Sequence, residues 1–169
     1  MHDIDDDELR TLLPQLRRFA LGLTREAHAA DDLVQSCMEK ALLKWHSRSA
    51  GGSLYGWLCS ILYRQFIDGK RYAARLNRWL DCLHEEPELA PSAEDTLQAR
   101  TSLAALEQLP PEQRAVLLLV SVEGMSYQDI AATLDVPIGT VMSRLSRARK
   151  AFRSIIDSEV SQPVLRIAR

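Results

Sequence analysis

The sequence predicts an all-α protein built as two small helical domains joined by a flexible linker. Three observations carry that prediction. Apolar residues recur at three- and four-residue steps through both halves of the chain, the spacing of a helix with one buried face. No stretch of useful length alternates apolar and polar residues as a half-buried strand would. The periodicity lapses over His84-Glu85-Glu86-Pro87-Glu88-Leu89-Ala90-Pro91-Ser92, where two prolines among clustered acids favour an extended, solvated connector. The lapse divides the chain into an N-terminal domain over 1–78, an acidic linker over 79–95, a C-terminal domain over 96–160 and a tail over 161–169.

In the N-terminal domain Leu9, Leu12, Leu13, Leu16, Phe19, Ala20 and Leu23 make one apolar stripe, with Pro14 as a candidate kink or start. Val34, Cys37, Met38, Ala41 and Trp45 make a second. Asp31 and Asp32 are expected in its first turn, where carboxylates suit the positive end of a helix. Ser47 to Ser53 reads as a loop, and Leu54, Trp57, Leu58, Ile61 and Leu62 as the inward face of a third helix. In the C-terminal domain a helix over Leu97–Leu106 is expected to stop at Pro110-Pro111. Pro111 then opens the next helix, where its missing N–H costs nothing. That helix runs through Val116, Leu117, Leu119 and Val120 toward Gly124, a candidate left-handed cap. Ser126 caps a short helix, with Asp129 three residues on.

At 169 residues with 46% hydrophobic and 26% charged residues, the chain has an ordinary globular composition, and disorder throughout is excluded. No apolar run approaches the ~20 residues of a membrane span, and the acidic start is unlike a secretory signal. A cytoplasmic protein without membrane insertion is expected. The three cysteines, Cys37, Cys59 and Cys82, give no disulfide framework and no metal-ligand spacing. With no glycine-rich phosphate loop and no catalytic constellation either, neither an enzyme nor a cofactor is expected.

The net charge of −2 argues against indiscriminate binding to nucleic acid, but its distribution is uneven. From Val136 to Ile155 Arg144, Arg147, Arg149, Lys150 and Arg153 stand without a single acid. A basic amphipathic helix taken alone is as easily a solvated face. Here it follows a short helix carrying Ala131 at the crossing and a tight turn at Asp135, a residue that tolerates positive φ. Val141, Leu145, Ala148 and Phe152 fall on the inner face of the helix after Pro137, leaving Thr140, Met142, Ser143, Ser146, Arg147, Lys150 and Arg153 outward. Small polar groups near the start and cations further on suit a DNA major groove.

Leu109-Pro-Pro-Glu-Gln-Arg-Ala-Val-Leu-Leu-Leu-Val120, Glu123-Gly-Met-Ser-Tyr-Gln-Asp-Ile-Ala131 and Val136 to Arg149 resemble the fourth conserved region of bacterial RNA polymerase sigma factors of the extracytoplasmic-function (ECF) class. Ala30-Asp-Asp-Leu-Val-Gln35 and Ser53-Leu-Tyr-Gly-Trp-Leu58 resemble their second region, in the right order. The resemblance implies binding to core RNA polymerase, through the β′ clamp and the β flap, recognition of promoter DNA, and control by an anti-sigma factor. It implies docking on the clamp by Asp32, Gln35, Ser36 and Glu39, a polar stripe that pattern alone would equally give to solvent. It assigns Tyr63, Arg64, Asp68 and Arg71 to the minus-ten element, where rings stack on bases and arginines meet phosphates.

For the minus-thirty-five element it assigns Met142, Ser143, Ser146 and Arg147 to bases and Thr140, Arg144, Arg149 and Lys150 to phosphates. Met142 stands where a cation is frequent in the family, and a methionine meets a thymine methyl instead of donating a hydrogen bond, which implies an altered preference. Two rival readings are a stand-alone helix-turn-helix regulator and a sigma-mimicking adaptor that binds only an anti-sigma protein. The first needs a dimerisation heptad and the second a receiver domain, and the sequence offers neither.

Overall fold

The computed structural model describes residues 6–48, 52–81 and 105–160. Within them the chain forms α1 (Asp6–Thr24), α2 (Ala27–Lys44), a 3₁₀ turn over Trp45–Ser47, α3 (Leu54–Asp81), α4 (Pro111–Ser121), α5 (Tyr127–Leu134) and α6 (Ile138–Val160). No strand occurs among the described residues, so the all-α expectation holds. The helix expected over Leu97–Leu106 lies largely outside the described residues, with only 105–107 seen as helical. The Pro- and Glu-rich stretch from His84 to Ser92, and Cys82, lie outside them as well.

Local chemistry sets the boundaries. Pro14 sits inside a continuous α1 and neither breaks nor starts it. The start of α2 corrects the sequence reading. Its N-cap is Glu26, whose carboxylate accepts the N–H groups of His28 at 2.8 Å and Ala29 at 2.6 Å. Asp31 and Asp32 therefore lie past the first turn, and Asp31 instead accepts a two-armed bond from Arg17 at 2.6 and 3.2 Å. Those two backbone N–H donors hold the Glu26 carboxyl below the ordinary carboxylate range. Ser53 starts α3 with its hydroxyl oxygen 3.3 Å from the Gly56 N–H. Pro111 opens α4 as expected. Gly124, at φ +65°, turns the chain out of α4 through the left-handed region.

The three N-terminal helices pack on one another through Leu16, Phe19, Leu23, Cys37, Ala41, Leu58 and Leu62, all essentially inaccessible to solvent. α4, α5 and α6 pack through Val116, Leu119, Ile130, Val141 and Ala148 in the same way. These are not separate cores. α1 lies against α4 and α3 against α5, so the buried residues of both halves form one continuous cluster. Cys37 and Cys59 are wholly buried in it, and burial pushes both thiols up to about 12.

Candidate nucleic-acid interface

The helix-turn-helix is built from α5 and α6. Ser126 accepts the Asp129 N–H at 3.1 Å while its hydroxyl donates to the Asp129 carboxylate at 2.6 Å, which fixes the start of α5. Asp135 ends that helix in the left-handed conformation, φ 55° and ψ 52°. The next N–H, of Val136, returns to the Ala131 carbonyl at 3.0 Å. The Pro137 carbonyl then accepts from Thr140 at 2.8 Å and Val141 at 3.2 Å, launching α6 two residues after the turn. Val141, Leu145 and Ala148 are buried under α6 and Phe152 is half-buried, the inner face the sequence predicts.

Beside that inner face runs an open groove of about 690 Å³ lined by Tyr127, Met142, Leu145, Ser146, Arg149, Lys150 and Arg153, with Asp157 as its acid. Met142 is 49% exposed, an apolar contact surface held out to solvent beside cations. Arg147 is exposed but tethered. Its Nε and Nη2 donate to the carbonyl and hydroxyl of Ser143, both at 3.2 Å, and the Ser143 hydroxyl donates to the Thr140 carbonyl at 3.0 Å. The structure thus brings Met142, Ser146, Arg149 and Lys150 to one groove and adds Tyr127 and Arg153, which the site assignment from sequence had not included, while Ser143 and Arg147 are exposed outside its lining. Arg153 was legible as the next cation one turn beyond Arg149, whereas Tyr127 belongs to another helix. Thr140 is half-buried at the start of α6. Arg144 is on another side of the helix and faces α3.

Arg144 there shares a cleft of about 420 Å³ with Tyr63, Arg64, Asp68 and Arg71 of α3 and with Glu112, Leu134, Asp135 and Val136. The four α3 residues are therefore together, but Tyr63 is only 8% exposed and its ring is not available for stacking in this arrangement. Burial raises the pKa of its hydroxyl, opposed by the nearby Arg144. Arg64 pairs with Asp135 across the cleft at 3.6 Å.

On α2, Asp32, Gln35 and Glu39 are exposed along one side, and Gln35 donates to Glu39 at 3.1 Å. Ser36 is half-buried, and its carbonyl accepts Gln65 of α3 at 3.0 Å. Leu42 and Leu43, 52% and 85% exposed, continue the stripe one turn further. No helix among the described residues is long and apolar enough to cross a membrane.

Comparison with known proteins places both halves. The family described as Sigma-70, region 4 matches residues 103–152, and that described as the Sigma2 domain of PhyR matches residues 9–63. The chain is 34% identical over 151 residues to the ECF RNA polymerase sigma factor EcfG of Rhodopseudomonas palustris, covering 89% of this chain and 83% of that protein. It is 31% identical over 165 residues to the ECF RNA polymerase sigma factor SigE of Mycolicibacterium smegmatis, covering 93% of this chain and 63% of that one. Among solved structures, the sigma factor RpoE in complex with the anti-sigma factor NepR from Bartonella quintana is similar with a TM-score of 0.75 at 34% identity, over 92% of this chain and 97% of that chain.

Proposed function

The chain belongs to the extracytoplasmic-function RNA polymerase sigma factors, and on that premise we propose how its parts divide the work of binding core polymerase and directing it to promoters. The C-terminal domain, 96–160, reads the minus-thirty-five duplex. Met142, Ser143, Ser146 and Arg147 meet base edges, with Arg149, Lys150 and Arg153 on phosphates. The observation that carries this reading is the α6 groove, a cationic and open face whose first acid is Asp157. Thr140 contributes its N-terminal position on α6. Arg144 serves the minus-ten strand better than the minus-thirty-five duplex, because it shares the cleft with α3.

The N-terminal domain, 1–78, serves the polymerase and the minus-ten element. Asp32, Gln35, Ser36 and Glu39 dock on the β′ clamp, supported by their exposure along α2. Arg64, Asp68 and Arg71, exposed along α3, hold a melted strand, and Tyr63 stacks on a base only if its buried ring is uncovered. The acidic linker, 79–95, spans the two domains, and α4 and α5 approach the β flap. An anti-sigma factor holds the protein until it is needed, as the NepR-bound relative suggests. The protein works in the cytoplasm by binding, with no chemistry of its own.

One observation favours the adaptor alternative, the match of residues 9–63 to a domain of PhyR. Both readings are separated by mixing the purified protein with sigma-free core polymerase. Co-elution and start-site-specific run-off RNA are expected. Failure of both, with any inhibitor absent, would leave an adaptor or a free-standing regulator.

A further inference from the structure

Thr140, Ser143 and Arg147 stand on consecutive turns of one face of α6, three and four residues apart, and hydrogen bonds tie them together. The Ser143 hydroxyl donates to the Thr140 carbonyl at 3.0 Å and accepts from Arg147 Nη2 at 3.2 Å. Arg147 Nε donates to the Ser143 carbonyl, also at 3.2 Å. Ser143 and Arg147 are both exposed, so burial does not fix the guanidinium. These two bonds to Ser143 do.

Counting donors and acceptors decides what each side chain can offer to DNA. A serine hydroxyl has one proton, and here it is spent on Thr140. While that bond stands, Ser143 cannot donate to a base oxygen or to a purine N7, and one of its two lone pairs is taken by Arg147. A guanidinium carries five N–H groups in a rigid fork. Arg147 commits two of them along its Nε–Nη2 edge, which leaves the Nη1–Nη2 end as a parallel pair of donors. In the major groove, guanine offers two acceptors side by side, O6 and N7. An arginine left loose would as readily take a phosphate, which positions without specifying.

We propose that Ser143 is a positioning residue, which acts on a base through Arg147 by fixing the guanidinium so that its remaining end meets a guanine. The inference rests on the reading of α6 as the minus-thirty-five helix and changes the part that Ser143 plays in it, from direct contact to support. Thr140 contributes its main-chain carbonyl, so its side chain is dispensable to the arrangement. Ordering one long side chain before binding is worth a factor of about two to ten, and about fivefold is expected here.

The test uses the full-length protein, alone and with core polymerase, to select duplexes from a random library. Affinity is then measured for the selected duplex and for each of its single-pair substitutions. Ser143→Ala and Arg147→Ala should lose discrimination at the same position, a G·C pair, with the serine variant losing about fivefold. Ser143→Thr keeps a hydroxyl in place and should restore the wild-type value. In an Arg147→Ala background, Ser143→Ala should change nothing further at any pair. Alanine is the better helix former, so Ser143→Ala keeps α6 intact, which far-UV circular dichroism checks.

A loss at a different pair from that of Arg147→Ala, or an added loss in the Arg147→Ala background, overturns the proposal, because either means that Ser143 touches a base itself. An unchanged profile for Ser143→Ala overturns it too, as does a uniform loss at every pair. A protein that enriches no duplex in either form overturns both this proposal and the minus-thirty-five reading. Selectivity of the protein alone is measured whether or not a polymerase complex forms. Failure of the run-off assay with that selectivity intact therefore sinks the sigma-factor role and not the part played by Ser143.

Discussion

Arg114→Ala is the substitution whose effect the structure sets most sharply. The residue is 6% exposed, yet it carries a full charge and faces no carboxylate at hydrogen-bond distance. Its partners are three carbonyls: Leu23 at 2.8 Å, and Glu107 and Leu109 at 3.0 Å each. Leu23 lies in the last turn of α1, where carbonyls lack helical partners, so Arg114 satisfies a group that would otherwise be stranded. Bonds from a charged donor are worth about 1.5–3 kcal/mol each, giving a gross value of roughly 5–9 kcal/mol.

Against this stands the cost of burying the cation. Its Nε finds no partner, and burial lowers the guanidinium pKa, with Arg25 adding repulsion. Removing the cation strands three carbonyls, each costing about 1–3 kcal/mol when left without a donor, and with the buried charge relieved the expected net loss is about 3–5 kcal/mol. For a chain of this size that corresponds to a melting temperature lower by roughly 6–20 °C.

The assay is thermal and urea unfolding followed by far-UV circular dichroism, with tryptophan fluorescence in parallel. Trp45, Trp57 and Trp79 all lie in the N-terminal half, so fluorescence reports that half and dichroism reports both. Both signals should shift together, because the Leu23 bond ties the halves. A loss under about 1 kcal/mol would refute the reasoning, since it would mean that the three carbonyls find water as readily as they find Arg114.

Four further outcomes are expected. Arg147→Ala should weaken binding to a selected minus-thirty-five duplex by about 1–3 kcal/mol, and an equal loss on scrambled duplex would reduce Arg147 to a phosphate contact. Asp32→Arg should lower affinity for core polymerase in a co-elution titration while leaving duplex binding intact, and unchanged polymerase affinity would remove the α2 stripe from the docking surface. In a Cys82→Ser background, Cys37 and Cys59 should resist a thiol reagent at pH 8 until the protein unfolds, because burial pushes both thiols up to about 12; prompt labelling would contradict their place in the core. The Glu26 and Asp31 carboxyls are held below their ordinary range by backbone N–H groups and by Arg17 respectively, so their contribution is present above the ordinary carboxylate pKa and lost as pH falls through the depressed values. Glu26→Gln should flatten the acid limb of the stability curve, and an unaltered limb would show that the cap carries no linkage.

Legibility followed the range of the interactions. The cap at Ser126, the left-handed turns at Asp135 and Gly124, the proline start of α4 and the inner face of α6 depend on neighbours a few residues apart, and the sequence reading places all of them. The start of α2 escaped because glutamate is an uncommon N-cap, and the two aspartates a turn later looked like the better signal. The length of α3 was harder still. After Ile67 every side chain to Leu76 is exposed, so no apolar period marks a helix that nonetheless reaches Asp81, past the boundary drawn at 78. What spacing cannot show at all is contact between the halves. Arg18 and Glu123 are 105 residues apart, and Gly22 and Gly56 carry no mark of the side chains they admit. The resemblance assigned Tyr63 to the minus-ten element and Arg144 to a phosphate of the minus-thirty-five element, and spacing gave no sign that both line one cleft.

These long-range contacts follow from size. Either half alone has fewer than about 80 residues, a range in which one hydrophobic core supplies only a few kcal/mol. Joining the two cores buries surface that neither half could bury alone, and Leu117 and Leu118 of α4 accordingly lie in one cluster with Leu16, Phe19 and Leu23 of α1. On the proposed role, in which the halves reach two promoter elements, separating them would give up that shared burial. The duplex and the polymerase surface must replace it. This explains why the contacts between the halves are mixed in kind. A wholly apolar seam would offer no charge for a partner to replace, whereas arginines paired with acids that range from buried Glu123 to exposed Asp135 hold the halves in register.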